Sequence, residues 1–334
     1  MELTYKKRQR LAYVARRYYL ENQKQSDIAR ELGVSRPMVS RMLSEAREFG
    51  VVEITVHEPG SGASGLLERL CREFSLLGGR ILEDGGDDRL TNRRLSQGAV
   101  QLLQELHTRC LGVGWGYFVG QLLAWLEENP QTDSLVRDIC PLVGNAGFPI
   151  RNYHSNENVR LLAQYLGAEP HFLYLPALPE SLEEKQVLCS TELYEQICRE
   201  WERMDTALVN ISNYPSTPDF ASVARYGNRL QEQRACGRLL AYYYNEAGRI
   251  ICSDQDFAIQ IPWELLQRCN HVVGVCSANT SVRALRGALH SGCFTHMVAR
   301  EQVVRALWEE GTLAGYAAER KRENENIGDR IGSV

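Results

Sequence analysis

Apolar residues in the first fifty positions recur at helical spacing in three short bursts. Leu11, Val14, Ala15, Tyr18 and Tyr19 keep one face of a helix predicted from about Lys7 to Leu20. Ile28, Ala29 and Leu32 mark a second, Gly33 interrupts it, and Val39, Met42, Leu43 and Ala46 resume the period in a third. Two short helices joined by a glycine turn form a helix-turn-helix, and the first helix supplies the third wall of its core. Ser35 reads as the N-cap of the last helix, with Pro37 in its first turn, where a missing N–H costs nothing. The polar face of that helix carries Arg36, Ser40, Arg41 and Ser44. Arginine forks suit guanine edges and phosphates, and serine hydroxyls suit either. With Ser26 one helix earlier, residues Ser35, Arg36, Pro37, Ser40, Arg41 and Ser44 form a candidate DNA-reading set. The competing expectation is a hairpin packed on another domain, its arginines a solvated rim.

The period then changes to two. Val52, Ile54 and Val56 alternate with Glu53, Thr55 and His57, which predicts a half-buried strand in the place of a wing. A glycine- and serine-rich run follows, so the expected division is a reader over 1–58, a linker over 59–65, a second domain over 66–318 and a frayed tail over 319–334. Within the second domain apolar stretches alternate with amphipathic helical ones. Strands are expected at 80–83, 110–113, 139–143, 172–175, 207–211, 272–275 and 294–298, and helices at 89–107, 117–127, 158–166, 282–290 and 301–309. That rhythm predicts a Rossmann-like α/β domain on a largely parallel sheet.

Composition narrows the function. A chain of 334 residues, 44% hydrophobic and 24% charged, fits a soluble protein of about two domains. No run approaches the ~20 apolar residues of a membrane span, and the N-terminus lacks a signal-peptide core, so the cytoplasm is the expected location. Ten cysteines without a C-x-x-C pair read as reduced core thiols, not as a zinc site or a disulfide framework. No metal, cofactor or catalytic residue is expected. Residues 1–60 hold 11 Lys and Arg against 8 Asp and Glu, while the rest holds 27 against 34. A basic head on an acidic body suits a DNA reader joined to something that does not touch DNA.

In open α/β sheets ligands lie beyond the carboxyl ends of strands, over tight turns and helix N-termini. Three turns qualify. Gly114-Trp115-Gly116 follows one strand, where glycines let backbone N–H groups approach an anion or a sugar hydroxyl, although packing alone also uses glycine. Val143 to Gly147, with Asn145, leads on to Arg151. The run from Val275 to Ser281 offers Ser277, Asn279 and Ser281, which helix capping alone would also explain.

These pieces in this order resemble the SorC family of bacterial sugar-responsive transcription regulators. The likeness spans nearly the whole chain: ELGVSRPMVSRMLSEAREFGVVEI, GVGWG, YLGAEPHFLYLPA from Tyr165, DTALVNIS from Asp205 and ALRGALHSG from Ala284, of which the first is the most specific. The resemblance implies a winged helix-turn-helix, an effector domain related to sugar-phosphate isomerases and deaminases, a tetramer, and a phosphorylated sugar that alters operator binding. The chain departs from the family pattern at three points. Tyr117 and Phe118 stand where the family carries Arg and Thr, Gly237-Arg238 replaces a Gly-Asp pair, and Ser277 to Ser281 lacks a lysine. An acceptor and a cation are lost, and a planar cation is gained at Arg238, which either meets an acidic group on the effector or forms an ordinary salt bridge.

The expected partners are therefore operator DNA, a sugar, sugar phosphate, polyol or sugar acid, and other copies of the chain. Two alternatives remain at this stage. One is an enzyme with a DNA-binding head, for which His154 and Asp205 are the nearest acid–base groups. The other is a regulator with a degenerate pocket governed by assembly or by oxidation of Cys236 or Cys269, each close to an arginine.

Overall fold

The computed structural model describes residues 5–52, 62–130, 135–147 and 149–309. The wing residues 53–57, the first part of the linker and the tail lie outside the described residues. The chain divides into two units, 1–61 and 62–334.

In the first unit, α1 (Tyr5–Tyr19), α2 (Gln25–Leu32) and α3 (Arg36–Glu48) enclose a small core. Leu11, Val14 and Ala15 of α1, Ile28 and Ala29 of α2, and Val39, Met42, Leu43 and Ala46 of α3 are all buried there. These are the positions that carry the helical period, so burial of one face accounts for the helices. The turn between α2 and α3 depends on Gly33, which sits at φ 63° in the left-handed region and ends α2 while the Val34 N–H donates to the Ala29 carbonyl at 3.0 Å. Ser35 takes the N-cap position of α3, but its hydroxyl makes no capping hydrogen bond. Val51 and Val52 fold back on the core, their N–H groups both donating to the Ala46 carbonyl.

The second unit begins with α4 (Gly62–Phe74), β1 (Gly78–Leu82), α5 (Asp88–Glu105), β2 (Cys110–Val113), α6 (Tyr117–Glu128), β3 (Asp138–Pro141), α7 (Ser155–Leu166) and β4 (Glu169–Pro170). It continues with α8 (Leu182–Cys189), α9 (Glu192–Arg203), β5 (Thr206–Asn213), α10 (Ser222–Tyr226), α11 (Arg229–Glu232), β6 (Ala235–Leu239), β7 (Tyr242–Asn245) and β8 (Ile250–Ile251). α12 (Trp263–Arg268), β9 (His271–Val275), α13 (Val282–His290), β10 (His296–Arg300) and a last helix, α14, over 301–309 complete it.

Seven strands lie in the order β1-β10-β9-β5-β2-β3-β4, all parallel. The end of β5 departs from this sheet and pairs antiparallel with β6, which carries β7 and β8 as an arm. The architecture is thus α/β with a mixed sheet. Both faces of the parallel part are covered, as such sheets require. Leu111, Val113, Leu208, Val273 and Val298 meet α5, α6 and α7 on one face. Ala207, Val209, Ile211, Val272 and Met297 meet α4, α9, α12, α13 and α14 on the other.

Two expectations change. Gly62 to Gly65, read as linker, form the first turn of α4, with Ala63 packed against the core, so the chain re-enters structure earlier than its glycine content implies. The strand expected at 172–175 is absent, because β4 pairs with β3 only at Glu169 and Pro170. Beyond them, side-chain amides replace the ladder: Asn156 accepts from the Leu173 N–H, and Asn145 and Asn156 both donate to the Leu173 carbonyl.

Gly33→Ala should destabilise the reader by about 1–2 kcal/mol, the cost of a side chain in the left-handed region. Denaturant unfolding followed by helical circular dichroism measures it. Gly147, where an added β-carbon meets open space, provides the control, and Gly147→Ala should leave the transition unmoved.

Candidate functional site

From β2 the chain steps outward through β3 and β4, then returns to place β5 on the other side of β2 and continues to β9 and β10. Strand order therefore reverses between β2 and β5, and it is beyond the carboxyl ends at such a switch point that open α/β sheets bind ligands. The three candidate turns all lie at this edge, following β2, β3 and β9.

Most of their polar groups are already matched. The Gly114 N–H donates to the Leu208 carbonyl and the Gly116 N–H to the Asn152 carbonyl, both at 3.0 Å. These donors hold the turn together instead of facing a ligand, as the sequence reading expected. Gly116 is required by backbone and space, with φ 112° and a would-be β-carbon 3.0 Å from Asn210 Nδ2. Trp115 is buried, its indole N–H donating to the Leu240 carbonyl. Asn145 uses both ends of its amide, Nδ2 on Leu173 and Oδ1 on the Asn156 N–H. Arg151 stands exposed at the start of a 3-10 turn, with no ion pair among the described residues. Ser277 Oγ donates to Asn279 Oδ1 at 2.7 Å, Ser281 Oγ caps α13 through the Ala284 N–H, and Asn213 bridges the Asn279 carbonyl and the Ser281 N–H. Capping accounts for this third turn.

The unmatched groups lie elsewhere, on one face of the arm junction. In the antiparallel register Ser212 opposes Arg238 and Arg238 opposes Tyr243, while Asn210 sits two residues before Ser212. Directly opposed residues share a face and side chains alternate along a strand, so these four project together. Arg238 is 3% exposed, and its guanidinium lies 3.7 Å from the centroid of the Phe220 ring. It forms no salt bridge among the described residues, and burial pulls its pKa below the ordinary arginine value. Burial raises the Tyr153 and Tyr243 hydroxyls against the opposing pull of Arg238, so both remain protonated donors at neutral pH. Asn210, 5% exposed, donates through Nδ2 to Ser212 Oγ at 2.8 Å, but its Oδ1 has no partner. Trp115, Tyr153 and Phe220 form one wall, with ring centroids 4.9–5.5 Å apart.

Arg225 shows what a structural buried arginine looks like in the same domain. It is fully buried, pairs with Asp256 Oδ1 at 2.8 Å and donates to the Ala241 and Phe220 carbonyls. Although burial opposes it, Arg225 holds the Asp256 carboxyl below its usual value.

A cavity of about 420 Å³ lies apart from this cluster, between α8, α9 and the arm. Several of its polar groups are already bonded: Tyr226 Oη donates to Asp256, Tyr242 Oη to the Ile261 carbonyl, Lys185 Nζ to the Asp256 carbonyl, and Gln260 Oε1 accepts from the Ala241 N–H. Arg238, by contrast, has the Tyr153 and Tyr243 side chains beside it but no carboxylate among the described residues.

The alternatives lose their residues. Asp205 lies at the amino end of β5, away from the crevice, where its carboxylate accepts from the Arg109 and Cys110 N–H groups at 3.1 Å. It is no partner for His154, which occupies the N-cap position of α7. Burial pushes the thiols of Cys236 and Cys269 up to about 11, the reverse of what a reactive thiolate needs. Among the described residues no cluster suits a metal ion, and no helix is long and apolar enough to cross a membrane.

In the first unit Ser26, Ser35, Arg36, Pro37, Ser40, Arg41 and Ser44 are all exposed. Arg36 has no ion pair among the described residues. Arg41 reaches Glu45 at 3.1 Å, and Lys7 holds the same carboxylate at 2.9 Å. Ser44 donates to the Ser40 carbonyl, which leaves Ser35 and Ser40 as the uncommitted hydroxyls of α3. Met38, 45% exposed on the first turns of α3, joins this face and was not among the sequence candidates. An exposed apolar residue in an otherwise polar stretch was the available signal.

Comparison with known proteins agrees with this arrangement. Residues 59–309 match the Sugar-bind family, described as a sugar-binding domain. The chain is 26% identical over 307 residues to the sorbitol operon regulator of Klebsiella pneumoniae, covering 88% of this chain and 96% of that one. It is 24% identical over 304 residues to the deoxyribonucleoside regulator of Bacillus subtilis, covering 88% and 95%. The crystal structure of the full-length Klebsiella pneumoniae regulator superposes with a TM-score of 0.72 at 24% identity, covering 90% of this chain and 98% of that one. With its family match spanning most of its length, the chain belongs to the SorC family of sugar-binding transcriptional regulators.

Proposed function

We propose that this regulator controls a carbohydrate-related operon by placing α3 in the major groove of its operator, under the control of a small molecule bound at the β2/β5 crevice. The observation that carries this reading is the pairing, in one chain, of an exposed basic helix face with a parallel sheet whose strand order reverses between β2 and β5, where Asn210 Oδ1 is buried without a partner.

On the DNA side Arg36 and Arg41 supply the base or phosphate forks, Ser35 and Ser40 the hydroxyls, and Met38 an apolar contact of the kind a thymine methyl accepts. Ser26 and the N-terminus of α2 meet the backbone, and the segment after α3 acts as the wing. The ion pair that Arg41 makes with Glu45 is exposed and worth little in water, so a phosphate can replace it. On the ligand side the strand order supports a Rossmann-like domain of the sugar-phosphate isomerase and deaminase type used for binding. A single head covers few base pairs, and linked heads gain affinity through effective concentration, which supports a homotetramer acting in the cytoplasm.

Arg36→Ala should weaken operator binding about 10- to 100-fold and relax preference at one base pair, as measured by competition binding with single-position operator variants. Equal weakening for every sequence would make Arg36 a phosphate contact. Glu45→Gln removes a carboxylate that competes for Arg41 and Lys7, and should tighten binding to any duplex severalfold at low salt, an advantage that fades as salt rises. Sedimentation equilibrium should give a mass four times the 37.9 kDa chain, and a dimer would overturn the tetramer.

A further inference from the structure

We propose that the cavity of about 420 Å³ between α8, α9 and the arm is a second small-molecule site, for an uncharged planar heteroaromatic compound, separate from the turns after β2, β3 and β9. Its volume falls within the range of about 300–1,000 Å³ in which proteins hold small ligands. Charge decides the first property of the ligand. Three ionised side chains line the cavity, Lys185, Asp256 and Glu264. The Asp256 carboxylate is matched by Arg225 and Tyr226 at 2.8 Å each and by the Ala258 N–H at 3.0 Å. Lys185 and Glu264 carry opposite signs, and Glu264 is exposed to solvent. Burial holds the Tyr194, Tyr226 and Tyr242 hydroxyls well above the usual phenol value, so all three stay neutral. With Arg225 behind Asp256 the charges around the cavity cancel, and an ion placed there would lose its hydration without gaining a counterion.

The second property follows from one amide. Gln260 lines the cavity and is 6% exposed. The Ala241 N–H donates to its Oε1 at 2.8 Å, which fixes the oxygen end of the amide and turns Nε2 the other way. Nε2 makes no hydrogen bond among the described residues. A buried amide N–H without an acceptor is costly, so a ligand that presents an acceptor gains there. The third property is shape. Tyr242 and Trp263 meet at 75° with ring centroids 5.3 Å apart, a corner that offers a flat ring one face and one edge, and Tyr194 adds a third ring to the lining. A sugar also packs on aromatic rings, but its many hydroxyls each need a partner, and Tyr226, Tyr242 and Lys185 are already bonded. A planar ring with a nitrogen or carbonyl acceptor needs only Gln260. The site is also tied to the arm. Gln260 and Arg225 hold the Ala241 N–H and carbonyl, and Tyr243, next to Tyr242, lies opposite Arg238.

Titration calorimetry of the full chain tests this with hypoxanthine, quinoline, benzoate and a hexitol, on the wild type and on Cys189→Trp. Cys189 lines the cavity, so the indole fills it, and whatever binding the variant removes belongs to that site. Hypoxanthine and quinoline should bind the wild type and lose all binding in Cys189→Trp, while the variant leaves benzoate and hexitol heats unchanged. Gln260→Glu keeps an acceptor for the Ala241 N–H but removes the free donor, and should weaken both heteroaromatic compounds about 10-fold. Absence of binding by both of them, binding that survives in Cys189→Trp, or unchanged affinity in Gln260→Glu overturns the proposal. Loss of a benzoate or hexitol heat in Cys189→Trp overturns the assignment to an uncharged planar ring. A sedimentation mass that falls in Cys189→Trp shows that the cavity receives a neighbouring copy of the chain, and overturns the small-molecule site.

Discussion

Both kinds of pairing in the second unit meet on β5, and the geometry of the crevice depends on that strand. Its residues Thr206 to Leu208 lie parallel between β2 and β9, Val209 and Asn210 continue in register with β9 alone, and its last three, from Ile211 to Asn213, lie antiparallel to β6. The change of partner falls at the residue where a doubly wound sheet opens its binding crevice. Asn210 is thus the last residue in register with the buried parallel sheet and the first to reach the open edge. Asn213, at the far end, ties the turn before α13 into place. The arm is held against the domain body by its pairing with β5 and by α13, where Tyr244 on β7 is fully buried and donates to the Ala284 carbonyl. Moving β5 would move the turn after β9, the arm and Arg238 together.

The parts that the sequence made legible are those with a period. The reader follows from twelve apolar positions at helical spacing, nine of them buried and Tyr18, Tyr19 and Leu32 partly buried, and the limits expected for β2 and α13 match those observed. The parallel strands were legible because they are short apolar runs between helices. The arm was not. Consecutive residues of β6 and β7 are buried, so neither strand alternates: β7 is a run of three tyrosines, and in β6 Gly237 and Arg238 interrupt the apolar stretch. The helix α8 was passed over as well, because it buries no residue completely and so carries little hydrophobic period.

The site was legible by neighbourhood rather than by residue. The three turns chosen for glycine and small polar residues do lie beyond the carboxyl ends of β2, β3 and β9, because tight turns after strands carry such residues wherever a sheet ends. Within them, however, Asn145, Ser277 and Ser281 are spent on their own loops. Sequence shows which residues can form hydrogen bonds, and only the fold shows which bonds are already made. The missed residue, Asn210, did leave a trace as a lone amide in the apolar run from Ala207 to Ile211. Polar groups inside a buried strand are uncommon enough to warrant notice on that ground alone. Arg238 was singled out only as a departure from a family pattern, and its burial gives the departure physical content.

The two ends of this molecule face opposite energetic demands. A DNA-reading face works from water, so its arginines stay exposed in weak pairs that a phosphate can displace, and their free state costs the fold nothing. A sensor must do the reverse. For a ligand to shift an equilibrium between two conformations, it must bind them unequally, and groups left unmatched in one state and satisfied in the other supply that difference. At the junction of β5 and the arm, Asn210 Oδ1 is buried without a partner and Arg238 is buried without a carboxylate among the described residues, whereas Arg225 is matched by Asp256 and two backbone carbonyls. Groups of the first kind are the ones through which a bound molecule could favour one packing of the arm over another, and groups of the second kind hold the arm whatever is bound.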